Sequence, residues 1–380
     1  MTQLRMKIPA KSFLFLGALL GACATVLSFN MNSAHADERI RPAAQLLAEG
    51  YKIQPFDVFI SDPPLPSAHA LNWPIRFQDP QHSIGNAMAQ FQPFGDPYFH
   101  GGCDLRVNAG ADITSPVSGR LEAGHYSYST NPDGSMQKFW KAWPQTGDET
   151  YFEVAVIEDT GIRYEFHHVN RDTLPAPIVA LLNQGSGRVT AGTLLGHAIT
   201  WPDGVYHHTH YNIVMPSGVR VNPEFVSPLL PDKLAPEVNG VYTVGSSGTV
   251  AQIAPNATVT DVQEFVVAVV DHQDQNIYDH PPALISLVFS NGAATTWDFR
   301  QTLTSPSGAF PPLWEVLKDR LLLPSGETVQ TDGGYGVGQS LMRLKVPPQA
   351  QGPFSITVAD IAGNQTVVHG TLKGTNPLKK

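Results

Sequence analysis

From residue 85 onward, hydrophobic and polar positions alternate in short runs, and Gly, Pro, Asn and Asp cluster between them. That is the signature of half-buried strands joined by turns. Val117–Leu121 and Tyr151–Ile157 read as strands. Ile162–His168 follows the turn Asp159-Thr160-Gly161 and pairs back on the previous strand as a hairpin. Arg188–Leu195 and His208–Val214 complete the first set. Two segments interrupt it: 129–149 reads as a polar loop holding Trp140 and Trp143, and 173–183 as a short helix. Beyond residue 240 the runs at Phe265–Val270, Ala283–Phe289, Thr295–Phe299, Gln339–Val346 and Phe354–Val358 have sandwich-like spacing. Leu313–Leu322 reads as a helical insert. The fold class is mainly β: a sheet or barrel-like domain with an open groove, then a β-sandwich.

The rest of the chain sets the boundaries. Arg5, Lys7 and Lys11 precede a largely apolar run, Ser12 to Phe29, and Ala34-His35-Ala36 offers a small-x-small cleavage site. Residues 1–36 therefore read as a secretory signal. A competing reading takes Leu20-Gly21-Ala22-Cys23 as a lipobox, with Cys23 lipidated. Either way the expectation is export to the periplasm or cell envelope, with no transmembrane segment in the mature chain. Residues 37–84 are Pro-rich and weakly patterned, an extension wrapping the next domain, with one helical candidate at 42–47. Pro228, Pro231 and Pro236 mark the boundary between domains at 85–235 and 236–380.

Thirty-three Gly and thirty-two Pro agree with strands and turns rather than long helices. The net charge of −9 becomes −12 once residues 1–36, with three basic and no acidic side chains, are removed. A chain this acidic lacks the basic block that nucleic acid requires, so nucleic acid is not expected as a partner. Of the two cysteines, Cys23 lies in the leader. Cys103 is then unpaired, and neither a disulfide framework nor a multi-Cys structural zinc is available.

The candidate chemistry lies in two stretches. In Tyr206-His207-His208-Thr209-His210-Tyr211-Asn212, strand alternation puts His208, His210 and Asn212 on one side, His207 and Thr209 on the other. In Phe99-His100-Gly101-Gly102-Cys103-Asp104 the Gly pair disfavours a helix, and an extended turn entering a strand brings His100 and Asp104 together. One His and one carboxylate here plus one His from the triplet make a three-ligand set with a fourth position open. That pattern suits catalytic rather than structural zinc. Each stretch also has an ordinary reading, as surface histidines and as a polar Gly-Gly loop.

Taken in order, these stretches resemble the lysostaphin-type (LytM-like) zinc metallopeptidases, which cleave peptide cross-bridges in peptidoglycan. The resemblance covers residues 85–228. His100-Gly101-Gly102-Cys103-Asp104 is similar to the family's His-x-Gly-x-Asp segment. Pro116-Val117-Ser118-Gly119-Arg120-Leu121 comes next, then Phe166-His167-His168-Val169 in place of Tyr-x-His-Leu. Val189 to Gly196, His208-Thr209-His210-Tyr211 and Gly218 to Pro223 complete the series. The resemblance implies that His100, Asp104 and His210 bind Zn2+, and that His168 and His208 are the catalytic pair beside a metal-activated water. It implies peptidoglycan peptides as substrate. His167 and His207 are expected as neighbours of the site rather than members, with Ile162, Tyr164, Phe166 and His168 sharing one strand face. Cys103 and Thr209 stand where the family has other residues, and Cys103 should point away from the metal as a small hydrophobe. The loop with Trp140 and Trp143 is expected to form part of the groove wall. His69, His82, His125, His197, His272, His280 and His369 have no partner pattern and read as ordinary histidines.

Asp360-Ile361-Ala362-Gly363-Asn364 is similar to a hairpin turn common in bacterial immunoglobulin-like domains, which gives residues 236–380 an immunoglobulin-like expectation and a role in binding a cell-envelope protein. Two functions therefore compete: a zinc endopeptidase, or a catalytically silent LytM-like regulator of cell-wall amidases. Silent members typically lose ligand or catalytic histidines, and this chain keeps all five positions.

Overall fold

The computed structural model describes residues 41–53, 62–79, 81, 83–92, 98–130, 136–185, 187–274, 276–301, 313–332 and 338–374. The leader, with Cys23 and the Ala34-His35-Ala36 site, lies outside them, as does His82. The described chain is mainly β, with 43% strand and 10% helix.

The first half is built on a nine-stranded sheet. Its path runs Lys52–Ile53, Met136–Ala142, Gly119–Thr130, Phe152–Ile157, Arg163–His167, His208–Val214 and Arg220–Val221. Cys103–Arg106 pairs with the His208 strand off this path, and Arg188–Val189 with the Gly119 strand. The hairpin at Asp159-Thr160-Gly161 forms as its turn chemistry predicts, with Val154 opposite Phe166 and Glu153 opposite His167. One face of the sheet buries Leu121, Val154, Val156, Tyr164, Phe166, Tyr211 and Ile213 in a single core. The helix Ala176–Gln184 adds Ile178 and Leu182 to that core, four residues apart on one face, and ends on Gly185 in the left-handed region.

Two readings of the pattern change. The segment 129–149 is no loop over its central part: Met136–Ala142 is a strand, paired with Gly119–Thr130 in register Tyr126 to Trp140 and Tyr128 to Lys138. The hydrophobic pattern hides it because one inward position is Lys138, buried through its pairing with acids rather than by apolar packing. Leu313–Leu322 is helical only over Leu313–Val316, and Arg320–Leu322 turns back on Thr328–Gln330 as a hairpin. Pro324 and the positive φ of Gly326 favour that turn over a continued helix.

The N-terminal segment wraps the first half. Leu71, Trp73 and Phe77 pack on its core, and backbone bonds run from Leu71 N to Val226 O and from Thr114 N to Pro74 O.

The second half carries two five-stranded sheets. One holds Glu237–Val244 and Glu264–His272, the other Leu284–Phe289, Gly352–Ala359 and Gln365–Leu372. Val267, Val269, Ile285, Leu287, Ile356 and Val358 from the two sheets share one core. Ala89, Phe91 and Phe99, from the first half, also pack there. The short hairpin Phe91–Gln92 with Tyr98–Phe99 therefore anchors in the second core, and His100 is the next residue.

Candidate functional site

Strand pairing creates the site. Cys103–Arg106 runs antiparallel to His208–Val214 with Asp104 opposite His210, and directly opposed residues present their side chains on the same face. Between His100 and Asp104 the chain must pass close against the His208 strand. A Cβ on Gly102 would stand 2.3 Å from the Tyr211 carbonyl oxygen and 2.2 Å from Asn212 Oδ1, so only glycine fits there.

Asp104 Oδ1 is the meeting point. His210 Nδ1 lies 2.9 Å from it, His100 Nε2 3.2 Å and His208 Nε2 3.9 Å. Donor atoms of His100, Asp104 and His210 all fall within 4.8 Å of one another. Each is held from behind. His100 Nδ1–H donates to the Ala87 carbonyl at 3.1 Å, turning Nε2 toward Asp104. His210 Nε2–H donates to Asn212 Oδ1 at 2.8 Å, which leaves Nδ1 as the inward lone pair. Asn86 donates to Asp104 Oδ2 at 2.6 Å. Outer hydrogen bonds that fix imidazole tautomer and ring direction are what a metal site requires. Two imidazoles and one carboxylate with no thiolate make a donor set suited to zinc. These residues fit that metal.

Two more imidazoles stand beside the set. His208 and His168 are 4.8 Å apart, ring to ring. His208 Nδ1–H donates to the Tyr206 carbonyl at 2.8 Å and His168 Nδ1–H to the Thr150 carbonyl at 2.7 Å. Both rings thus turn Nε2 away from the backbone. Trp201 packs on both, at 4.7 Å from His168 and 4.6 Å from His208, and Tyr206 lies 4.9 Å from His208. Where an open groove is expected, the five side chains are covered: each is at most 2% exposed. Trp140 and Trp143 line a different groove, of about 760 Å³, whose wall includes Arg120, Ile157, Arg163 and Pro216 and none of the five.

His168 reaches this position by breaking the strand. The face it shares by alternation with Tyr164 and Phe166 is the core face, where Phe166 stacks on Tyr211 at 5.3 Å. A positive φ of 60° at His168 ends the alternation and redirects the ring. Regular alternation instead puts His167 on the site side. Its ring lies 4.9 Å from that of His210, and its Nε2 accepts from Asn212 Nδ2 at 3.0 Å. His167 is therefore part of the polar layer behind His210. His207 lies outside it, its Nδ1 accepting from the Trp201 amide at 3.0 Å.

That layer is the part sequence reading missed. Asn212 Nδ2 also donates to Glu165 Oε2 at 3.2 Å. Lys138 Nζ bridges Glu153 and Glu165 at 2.6 and 2.8 Å, and Arg163 closes the outer side on Glu153 and Glu165. Burial pushes Glu165 upward, but the positive charges of Lys138 and Arg163 hold its carboxyl well below the usual range. Burial and the neighbouring Glu165 raise Glu153 to about 7. Burial, reinforced by Lys138, holds His167 well below the usual imidazole value and so neutral. The one available signal was Asn212, on the same strand side as His208 and His210.

Cys103 faces the core opposite Tyr211, away from the donor set, and burial drives its thiol well upward. His125 is likewise structural: it packs on Phe152, and burial lowers it to about 4. His69 bonds the Ser227 carbonyl, His197 faces Asp112 and His272 faces Asp279.

No protein-family model matches the chain, and no curated protein does. Among solved structures it is similar to a putative M23 peptidase from Pseudomonas aeruginosa, at 21% identity and a TM-score of 0.26. That match covers 48% of this chain and spans 57% of the other. It is also similar to lysostaphin from Staphylococcus simulans, at 12% identity and a TM-score of 0.28, over 72% of this chain and 98% of that one. Likenesses at these scores carry no weight for activity, which rests on the side chains themselves. Among the described residues no helix is long and apolar enough to cross a membrane.

Proposed function

We propose that this chain is an exported zinc-dependent endopeptidase that hydrolyses amide bonds in peptidoglycan peptide cross-links. The observation that carries the reading is the convergence of His100, Asp104 and His210 on Asp104 Oδ1, with the His168–His208 pair alongside. A zinc ion held by those three residues would supply Lewis-acid polarisation of the amide carbonyl and acidify a water toward neutral pH.

The chain's own residues divide the remaining work. Asn86 fixes Asp104, and Asn212 fixes the His210 tautomer, so the donor set is preorganised. His168 and His208 each keep Nδ1 on a backbone carbonyl, which presents Nε2 for proton transfer. One of the pair can take the proton from the attacking water, and the other can donate to the amide oxygen or the leaving amine. Trp201 packs against both rings and Tyr206 against His208, which limits water around the pair and strengthens each of these interactions. The sandwich of residues 236–380, read as immunoglobulin-like, is assigned to binding a cell-envelope partner.

Digestion of purified peptidoglycan by the zinc-loaded protein, with and without a zinc chelator, followed by mass spectrometry of the soluble fragments, tests the proposal. Chelator-sensitive release of peptides is the expected result, and the fragment masses identify the bond cut. Absence of release from protein that carries one equivalent of zinc would favour the amidase-regulator reading instead.

A further inference from the structure

At the base of the second half, carboxylates from three separate segments converge. Asp232 lies on the connection that enters the sandwich, Asp271 near the end of the central strand Glu264–His272, and Asp360 at the start of the turn between Gly352–Ala359 and Gln365–Leu372. One oxygen of each lies within 4.8 Å of the others. Two ligands on one calcium ion, at about 2.3–2.6 Å each, can stand up to about 5 Å apart, so a single ion can touch all three.

An acidic cluster alone proves nothing, because such groups often sit together in water. Here Asp271 and Asp360 are out of water and Asp232 is half-buried. Asp271 is 2% exposed, and its Oδ1 is buried with no hydrogen-bond partner among the described residues. Asp360 spends its oxygens on the Asn364 amide N–H and side chain, both at 2.8 Å, and Asp232 Oδ1 accepts from the Leu234 and Asp274 amides. None of the three forms an ion pair among the described residues. The other groups that act on Asp271 are all acids: Asp360, Asp232, Glu224 and Asp279. A small cavity of about 10 Å³, with room for one water, is lined by Asp271 with Glu224, Gln273 and His280 and not by Asp232 or Asp360. An isolated buried carboxylate surrounded by like charge is costly unless a cation or a proton neutralises it.

We infer that Asp232, Asp271 and Asp360 form a binding site for a hard divalent cation of the calcium type. The donors are all oxygen, which selects against zinc and copper. Bound there, the ion ties the 227–236 connection to the end of the sandwich, and Glu224 and His280 beside it link that point to the first half. This site is separate from the histidine set and does not depend on the peptidase reading.

The test is a calorimetric titration of calcium chloride into the full chain with its histidine site already zinc-loaded, paired with thermal melts. The wild type is expected to bind one equivalent, with a dissociation constant on the order of 10⁻⁴ M as in extracellular modules. At about 100-fold excess over that constant its Tm should rise by roughly 5 °C. Asp271→Asn should abolish the heat and the shift, while melting no lower than wild type in calcium-free buffer, because it also removes the repulsion. Asp232→Asn is the second variant should the first fold poorly, with the same loss expected. Wild-type protein that takes up no calcium, or uptake retained in both variants, overturns the assignment. A Tm unchanged by calcium with Asp271→Asn more stable at alkaline pH would identify a shared proton instead of a metal.

Discussion

Beside the histidine set, two clusters among the described residues bring three titratable groups within one ion's reach, and they differ in what can neutralise them. On the sheet of the first half, Glu153, Glu165 and His167 meet the spacing of a metal site, yet Lys138 already supplies the positive charge at 2.6 and 2.8 Å. At the base of the sandwich, Asp232, Asp271 and Asp360 meet the same spacing with no ammonium or guanidinium paired to them among the described residues. Spacing by itself therefore does not separate a metal site from a salt-bridge network. The distinguishing feature is whether the chain brings its own cation. The histidine set stands beside the first cluster and uses it: Glu165 and His167 hold Asn212, and Asn212 holds His210.

The largest effect should come from breaking the first cluster. Lys138→Met leaves two buried carboxylates with one cation fewer, and removal of one partner from such a network costs about 3–5 kcal/mol. Urea unfolding at neutral pH should register that loss. A variant as stable as wild type would mean that the Lys138 bridge is not the neutralising charge. A smaller effect is expected one step closer to the histidines. Asn212→Leu keeps every candidate ligand but frees the His210 tautomer, and zinc affinity measured by competition with a chelator should fall by about 10–100-fold. Unchanged affinity would detach the polar layer from the metal set.

The second cluster has its own signature in pH. Burial first, then the surrounding acids, raise Asp271 to about 9 from an unfolded value of 3.8. The folded state thus holds a proton that the unfolded state releases. The stability this contributes is complete below the unfolded value and is lost as pH rises through about 9. Calcium-free melts should therefore fall from about pH 4 to about pH 9 and level off above it, and Asp271→Asn should flatten that slope. An identical slope in the variant would assign it to another group. A modest further effect is expected from Phe99→Ala. It loosens the hairpin that the second core anchors just before His100, so zinc affinity should drop while His100 itself remains. Affinity equal to wild type would show that the second core does not help position the ligand.

Much of this was written plainly in the chain. The two-residue alternation located most strands, the helix at 176–184 falls on the 173–183 stretch expected to be helical, and the turn at Asp159-Thr160-Gly161 announced its hairpin. That His100 and Asp104 could meet a histidine of the triplet was legible because Gly101-Gly102 and strand alternation are local properties, and the choice of His210 came from the family resemblance. What stayed hidden is what depends on partners far along the chain. Lys138 reads as an outward, solvated residue until Glu153 and Glu165 are brought across from the next strands. His168 was singled out by the family resemblance, and its position follows from a positive φ rather than from the strand period that was expected to carry it. Asp232, Asp271 and Asp360 are scattered over 129 positions of sequence, and no spacing rule joins them.

The central claim is that the His100–Asp104–His210 set holds the metal and the neighbouring pair moves protons. His208→Ala separates those roles most directly, with bound zinc and the rate of peptide release from peptidoglycan measured on the same preparation. The account predicts close to one equivalent of zinc retained and a rate reduced by about 10²–10⁴-fold. Full activity in zinc-loaded His208→Ala protein would contradict it.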